Sequence, residues 1–167
     1  MDAADGLKTG HTDEAGFCLS ASAYKNGRRL IGVMSGMASN KERSEETEKL
    51  MNYGFREFNN YKILNKGDVV ATANVWYGQN KTVEMVVPYD ITETIKRSLR
   101  NKYELKVRYK EPVKAPIKKG DTIGELILID SEGSEKDFPL LAKNDVEQIG
   151  VFQKFVANLK YLVLGNK

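Results

Sequence analysis

Near its amino end the chain carries Lys8, Thr9 and Gly10 in a row, followed directly by its single histidine, His11. A lysine ammonium is a compact charge with three donors, and a threonine hydroxyl beside it adds a fourth. A glycine next to the pair lets a foreign backbone approach, because no Cβ stands in the way. These are the parts of a grip for an anionic group. The same residues also suit an exposed strand start with a turn glycine, and three residues alone do not separate the two readings. His11 has no Ser-His-acid set around it. Ser22-Ala23-Tyr24-Lys25 places a serine three residues before a lysine, but in an expected strand such residues point to opposite faces. Acids such as Glu45 and Glu46 belong to a solvated helix surface. No His/Cys cluster offers metal ligands, so neither metal nor cofactor is expected.

The elements that would position the triplet follow from patterning. Residues 15 to 36 read as a β-hairpin turning at Asn26-Gly27, since both central positions of a type I′ turn need positive φ. Gly32 and Gly36 in the returning strand suggest another backbone or a ligand passing close. Ser39 and Glu42 have capping-box spacing, and Thr47, Leu50, Met51, Gly54, Phe55 and Phe58 then form one helical face. From about Tyr61 short β-like runs alternate with the turns NKGD, GQN, KKGD and SEGSE, the texture of a small sandwich or barrel. Lys66-Gly67-Asp68 recurs as Lys119-Gly120-Asp121, and with no longer repeat around them both read as turns. From Asn144 to Leu164 a helix is expected, capped by Asn144 and Glu147, with an apolar stripe through Phe152, Phe155, Leu159 and Leu162.

The composition is that of a folded globular chain: 167 residues, 41% hydrophobic and 29% charged. One cysteine, Cys18, excludes an intramolecular disulfide. No apolar run reaches the roughly 18 residues of a spanning helix, and no charged-then-apolar leader opens the chain. The net charge of +3 says little about partners, but residues 96–119 hold ten basic residues and two acids. Such a patch could serve nucleic acid. Lys106, Arg108 and Lys110 alternate with Leu105, Val107 and Tyr109, as in a strand with one wet face, and no nucleic-acid partner is expected.

The longer string GLKTGHTDEAGF, followed by small residues, resembles the low-molecular-mass penicillin-binding proteins, the D-alanyl-D-alanine carboxypeptidases. The order of elements is similar over nearly the whole chain. The resemblance implies an α+β chain: the C-terminal hairpin and helix of a penicillin-binding/β-lactamase-like peptidase domain (residues 1–59), a small all-β sandwich-like domain (60–143) and a C-terminal amphipathic helix (144–167). It implies that Lys8, Thr9, Gly10 and His11 are catalytic, with Lys8 and Thr9 holding the terminal carboxylate of a peptidoglycan pentapeptide. The His11 backbone N–H would supply one oxyanion-hole donor, a contact worth roughly 3–4 kcal/mol in other acyl-transfer enzymes. β-Lactams are expected partners where the full catalytic domain is present, and a membrane surface where Phe152, Phe155, Leu159 and Leu162 form a contact. The cell envelope, at the periplasmic face of the inner membrane, is the expected location, with the export signal upstream. The family's Ser-x-x-Lys nucleophile and Ser-x-Asn should both precede Lys-Thr-Gly, so these 167 residues alone are expected to be inactive and to form no acyl-enzyme. The alternative is a non-catalytic envelope stalk or protein-interaction module.

Overall fold

The computed structural model describes residues 4–155, mostly β-strand with few helices. Contacts divide the chain into two units, one of Met1–Tyr61 with Glu93–Arg100 and one of Lys62–Thr92 with Asn101–Lys167.

The first unit holds a three-stranded antiparallel sheet in the order β1-β2-β3, with β1 Ala4–Thr12, β2 Gly16–Lys25 and β3 Arg28–Met37. Asn26 and Gly27 join β2 to β3 with φ of 53° and 74°, the two left-handed conformations a type I′ turn needs. Helix α1, Asn40–Glu57, covers one face of the sheet. Ser39 caps it by accepting from the Glu42 N–H at 3.1 Å, and the Glu42 carboxylate accepts from the Ala38 N–H at 2.6 Å. Met51 packs on Ala21 and Ala23, with Leu19, Leu30 and Phe55 around them. This contact explains Gly32, where a Cβ would lie 3.1 Å from Met51 Sδ. The neighbour there is a helix side chain, not the foreign backbone or ligand expected. Gly36 is needed for its φ of 86° beside a register shift between Phe17 and Leu19, and a Cβ there would meet nothing within 4 Å.

In the second unit β5 Val69–Trp76, β6 Thr82–Val86, β8 Glu104–Arg108, β9 Val113–Lys114, β10 Thr122–Ile129 and β11 Glu135–Ala142 form one sheet in the order β8-β10-β11-β6-β5-β9. Its pairs are antiparallel apart from the two-residue β5–β9 contact. The strands alternate, so Ala73, Val83, Met85, Leu126, Leu128, Phe138, Leu140 and Ala142 meet on one buried face. Ile91, Ile117 and Val146 complete that core. β4 Phe58–Leu64 and β7 Ile91–Lys96 pair as a separate two-stranded sheet.

The two Lys-Gly-Asp turns are more than punctuation, which corrects the reading that nothing longer repeats around them. In each, the aspartate carboxylate accepts from the N–H three residues back: Asp68 from Asn65 and Asp121 from Lys118, both at 2.8 Å. In each, the lysine N–H donates to a distant aspartate, Asp90 at 2.9 Å and Asp145 at 2.7 Å. Each glycine N–H donates to a strand carbonyl, Val87 and Ala142, whose own N–H groups donate back to the Asp68 and Asp121 carbonyls. Gly67 and Gly120 take φ of 86° and 92°. The unit is therefore built on one motif used twice, each copy locking a turn to the end of a strand about twenty residues on.

The expected helix start at Asn144 is overturned. Residues 143–150 are not helical: a bend at 143–144 leads to two isolated bridges, Val146 to Ile117 and Gln148 to Gly78, and helix begins only at residue 151. Val146 is buried in the β core and the Glu147 carbonyl accepts from the Gln79 N–H. Tertiary pairing has overridden an Asn/Glu spacing that mimics a cap. Phe152 and Phe155 lie exposed on the helical residues 151–155, while Leu159 and Leu162 lie outside the described residues. No helix among the described residues is long and apolar enough to cross a membrane. On β8 the Arg108 guanidinium is matched by carboxylates of the neighbouring strands, Glu125 at 2.9 Å and Asp137 at 3.1 Å.

Candidate active site

Lys8, Thr9, Gly10 and His11 lie within β1, which hydrogen-bonds to β2 on one side and, among the described residues, to no strand on the other. Every residue of β1 is exposed. The register sets Lys8 against Ser20, Thr9 against Leu19, Gly10 against Cys18 and His11 against Phe17. Directly opposed residues share a face. Thr9 and His11 thus belong to the α1 side with Leu19, and Lys8 and Gly10 to the other side with Ser20 and Cys18. The ammonium and the hydroxyl flank the free edge from its two faces. Between them runs a line of backbone N–H and C=O groups, the template that an extended peptide pairs with. Lys8 Nζ itself donates to the Thr9 carbonyl at 2.5 Å.

Gly10 separates the bland reading from the chemical one. A Cβ there would meet only the Cys18 Cβ, at 3.9 Å, an ordinary contact. Its φ is not in the left-handed region. Nothing inside the unit asks for glycine at this position. His11 packs its ring on Phe17 with centroids 4.0 Å apart, and the Arg43 guanidinium lies 5.7 Å from the Phe17 centroid. The imidazole is thus in an aromatic contact.

Patterning alone did not pick out what holds β1 in place. Arg29 of β3 reaches across β2 and forks onto the Asp5 carboxylate at 2.7 and 2.8 Å. It also donates to the Ser22 hydroxyl, which bonds Asp5 in turn. The Arg29 guanidinium and the Ser22 hydroxyl hold the Asp5 carboxyl below the usual carboxylate range. This clamp spans all three strands and fixes the beginning of the edge strand. It also disposes of Ser22-x-x-Lys25. Ser22 is 2% exposed and tied to Arg29 and Asp5, while Lys25 is exposed at the hairpin end. The face of β3 away from α1 leaves Ile31 65% and Val33 75% exposed. Opposite it stand Ser20 and Ser22 of β2.

The chain belongs to the family described as penicillin-binding protein 5, C-terminal domain, whose family model matches residues 58–148. Residues 1–39 match the D-alanyl-D-alanine carboxypeptidase family, so the chain is recognised as the C-terminal portion of such a protein. It is 34% identical over 154 residues to D-alanyl-D-alanine carboxypeptidase DacD of Escherichia coli, covering 90% of this chain and 39% of the relative. It is 31% identical over 147 residues to DacF of Bacillus subtilis, covering 87% and 38%. The crystal structure of penicillin binding protein 5 from Haemophilus influenzae superposes with a TM-score of 0.71 at 32% identity, over 87% of this chain and 43% of that one. The chain thus spans about two fifths of the curated relatives it matches.

Proposed function

We propose that this chain supplies one wall, and the C-terminal domain, of a serine-type D-alanyl-D-alanine carboxypeptidase that trims peptidoglycan pentapeptides in the cell envelope. The free edge of β1 carries the proposal, with a cation, a hydroxyl and an unneeded glycine side by side along it. A pentapeptide end lies along that edge as an added strand. Lys8 and Thr9 hold its terminal carboxylate, one by charge and one by a hydrogen bond. Gly10 leaves room for the substrate backbone. The His11 N–H faces the carbonyl oxygen that becomes negative when a serine attacks, and holds that oxyanion in place. When that intermediate collapses the peptide bond breaks, D-alanine leaves with a proton on its nitrogen, and the serine ester that remains then passes its acyl group to water. The serine belongs to a Ser-x-x-Lys outside these residues, since Ser22 is consumed by the Asp5–Arg29 clamp. A β-lactam enters by the same route and acylates the same serine.

Residues 1–59 are the end of the peptidase domain, with the hairpin and α1 closing it, and residues 60–143 are the small β domain. The terminal segment lies on the periplasmic face of the inner membrane, with Phe152 and Phe155 inserted. Labelled penicillin tests the catalytic assignment. The 167 residues alone should carry no label after denaturation, and the protein extended upstream through a Ser-x-x-Lys should carry one label per chain. Label on the 167 residues alone, or none on the extended protein, overturns it.

A further inference from the structure

A second place in the first unit is built for a ligand of opposite chemistry to its surroundings. At the hairpin end of the sheet a cavity of about 310 Å³ is lined by Lys25, Arg28, Arg56 and Arg97 together with Asn52 and Asn59. That volume lies at the small end of the range for ligand pockets, roughly 300–1,000 Å³. None of the lining residues is an acid. The nearest carboxylate interaction is that of Glu57, which pairs with Arg56 at 2.8 Å and feels Lys96 and Arg97 through space. Four lining cations less this one acid leave three positive charges around the cavity. Arg28 is the telling member. Its Nη2 donates to the Gly54 carbonyl at 3.1 Å and its guanidinium lies 5.3 Å from the Phe55 centroid, so the group is held in place. Its Nη1 is nonetheless buried with no hydrogen-bond partner. Under 1 Å² of that atom is exposed, so it lies behind the cavity wall, and what Arg28 presents to the cavity is its charge.

We propose that this cavity binds a diphosphate group, free or carried on a lipid. The guanidiniums of Arg56 and Arg97 offer donors to phosphate oxygens, Arg28 adds its charge, and a diphosphate brings about three negative charges to meet the three positive ones. A lone carboxylate would leave most of the charge unanswered. Three lining asparagines, Asn26, Asn52 and Asn59, offer donors and acceptors to whatever bears the phosphates. The site shares no residue with the Lys-Thr-Gly strand. Lys25 lies five residues along β2 from Ser20, the partner of Lys8, or about 17 Å at the usual rise. The assignment goes beyond the carboxypeptidase reading and does not depend on it.

The test is calorimetric titration of inorganic diphosphate into the 167-residue chain at low salt, beside flotation on phosphatidylcholine vesicles with and without an alkyl diphosphate. One-site binding that weakens about tenfold in Arg97→Gln, and is unchanged in Lys106→Gln, supports the site, because one charged hydrogen bond is worth about that factor. Arg28→Gln should behave like Arg97→Gln, with circular dichroism checking that α1 survives. Flotation that is greater on the doped than on the plain vesicles, with the excess lost in Arg97→Gln, supports the lipid-borne source; heat with inorganic diphosphate supports the free anion. Neither signal, or equal weakening by Arg97→Gln and Lys106→Gln, overturns the proposal.

Discussion

Gly10→Ala should make the protein more stable and less able to react. A glycine inside a strand costs roughly 0.5–1 kcal/mol relative to alanine, chiefly through the freedom it loses on folding. At Gly10 nothing offsets the gain: the new methyl meets only Cys18 Cβ at 3.9 Å, and the backbone needs no positive φ. The expected change is therefore a stabilisation of roughly 0.5 kcal/mol or slightly more, seen as a higher urea midpoint with an unchanged slope. The same methyl would stand on the sheet face that Gly10 shares with Lys8, against the substrate backbone proposed to lie along this strand. In the protein carrying its Ser-x-x-Lys, acylation by penicillin should fall at least tenfold. The two readouts must move in opposite directions. Destabilisation by more than about 1 kcal/mol would show that glycine is there for the fold. Unchanged acylation would remove the reason for thinking that anything binds along this edge.

Gly67→Ala and Gly120→Ala should show the contrary sign, because φ near 90° suits glycine; each should destabilise by roughly 1–2 kcal/mol, the two values should agree, and in combination they should add. Unequal losses in urea melts would deny that the two turns are one motif. Leu140→Ala, at a side chain with no exposure, should cost about 3 kcal/mol in the same assay, and a loss below 1 would mean the core lies elsewhere. Acid should weaken the fold. Asp5 is held below the usual carboxylate range by Arg29, Asp90 by the Lys66 N–H and Lys62, and Asp130 by the Ser134 and Glu132 N–H groups. Groups depressed in the folded state contribute fully above the ordinary carboxylate range and lose that contribution as pH falls through their folded values. The urea midpoint should therefore drop steadily below about pH 4; a midpoint that held or rose would contradict the assignments.

Local signals were legible where one short stretch settled the matter. The Asn26-Gly27 turn and the Ser39–Glu42 cap each rest on a few adjacent residues. What escaped depended on distant partners. β7 has only Ile91 and Ile95 buried in a run otherwise polar, so its alternation is too thin to see without β4 beside it. The duplicated turn hid because only Lys-Gly-Asp is shared locally, while the remote aspartates, Asp90 and Asp145, fall at different spacings. A search for a second acid some twenty residues after each triplet would have found it. The segment after Asn144 misled because an Asn three before a Glu is common, and what decided its conformation was a bridge to Ile117. At the site, the triplet could be read from sequence, but the freedom of the β1 edge and the Asp5–Arg29–Ser22 clamp could not, since both depend on which strand lies beside which.

The most direct test of the account compares penicillin acylation rates in the protein carrying its Ser-x-x-Lys, with Lys8→Ala set against Lys41→Ala on the exposed surface of α1. A loss of at least tenfold for Lys8→Ala, with Lys41→Ala within twofold of the parent and both equally folded, is the predicted result. Equal rates in the two variants would mean that the ammonium on the open strand grips nothing.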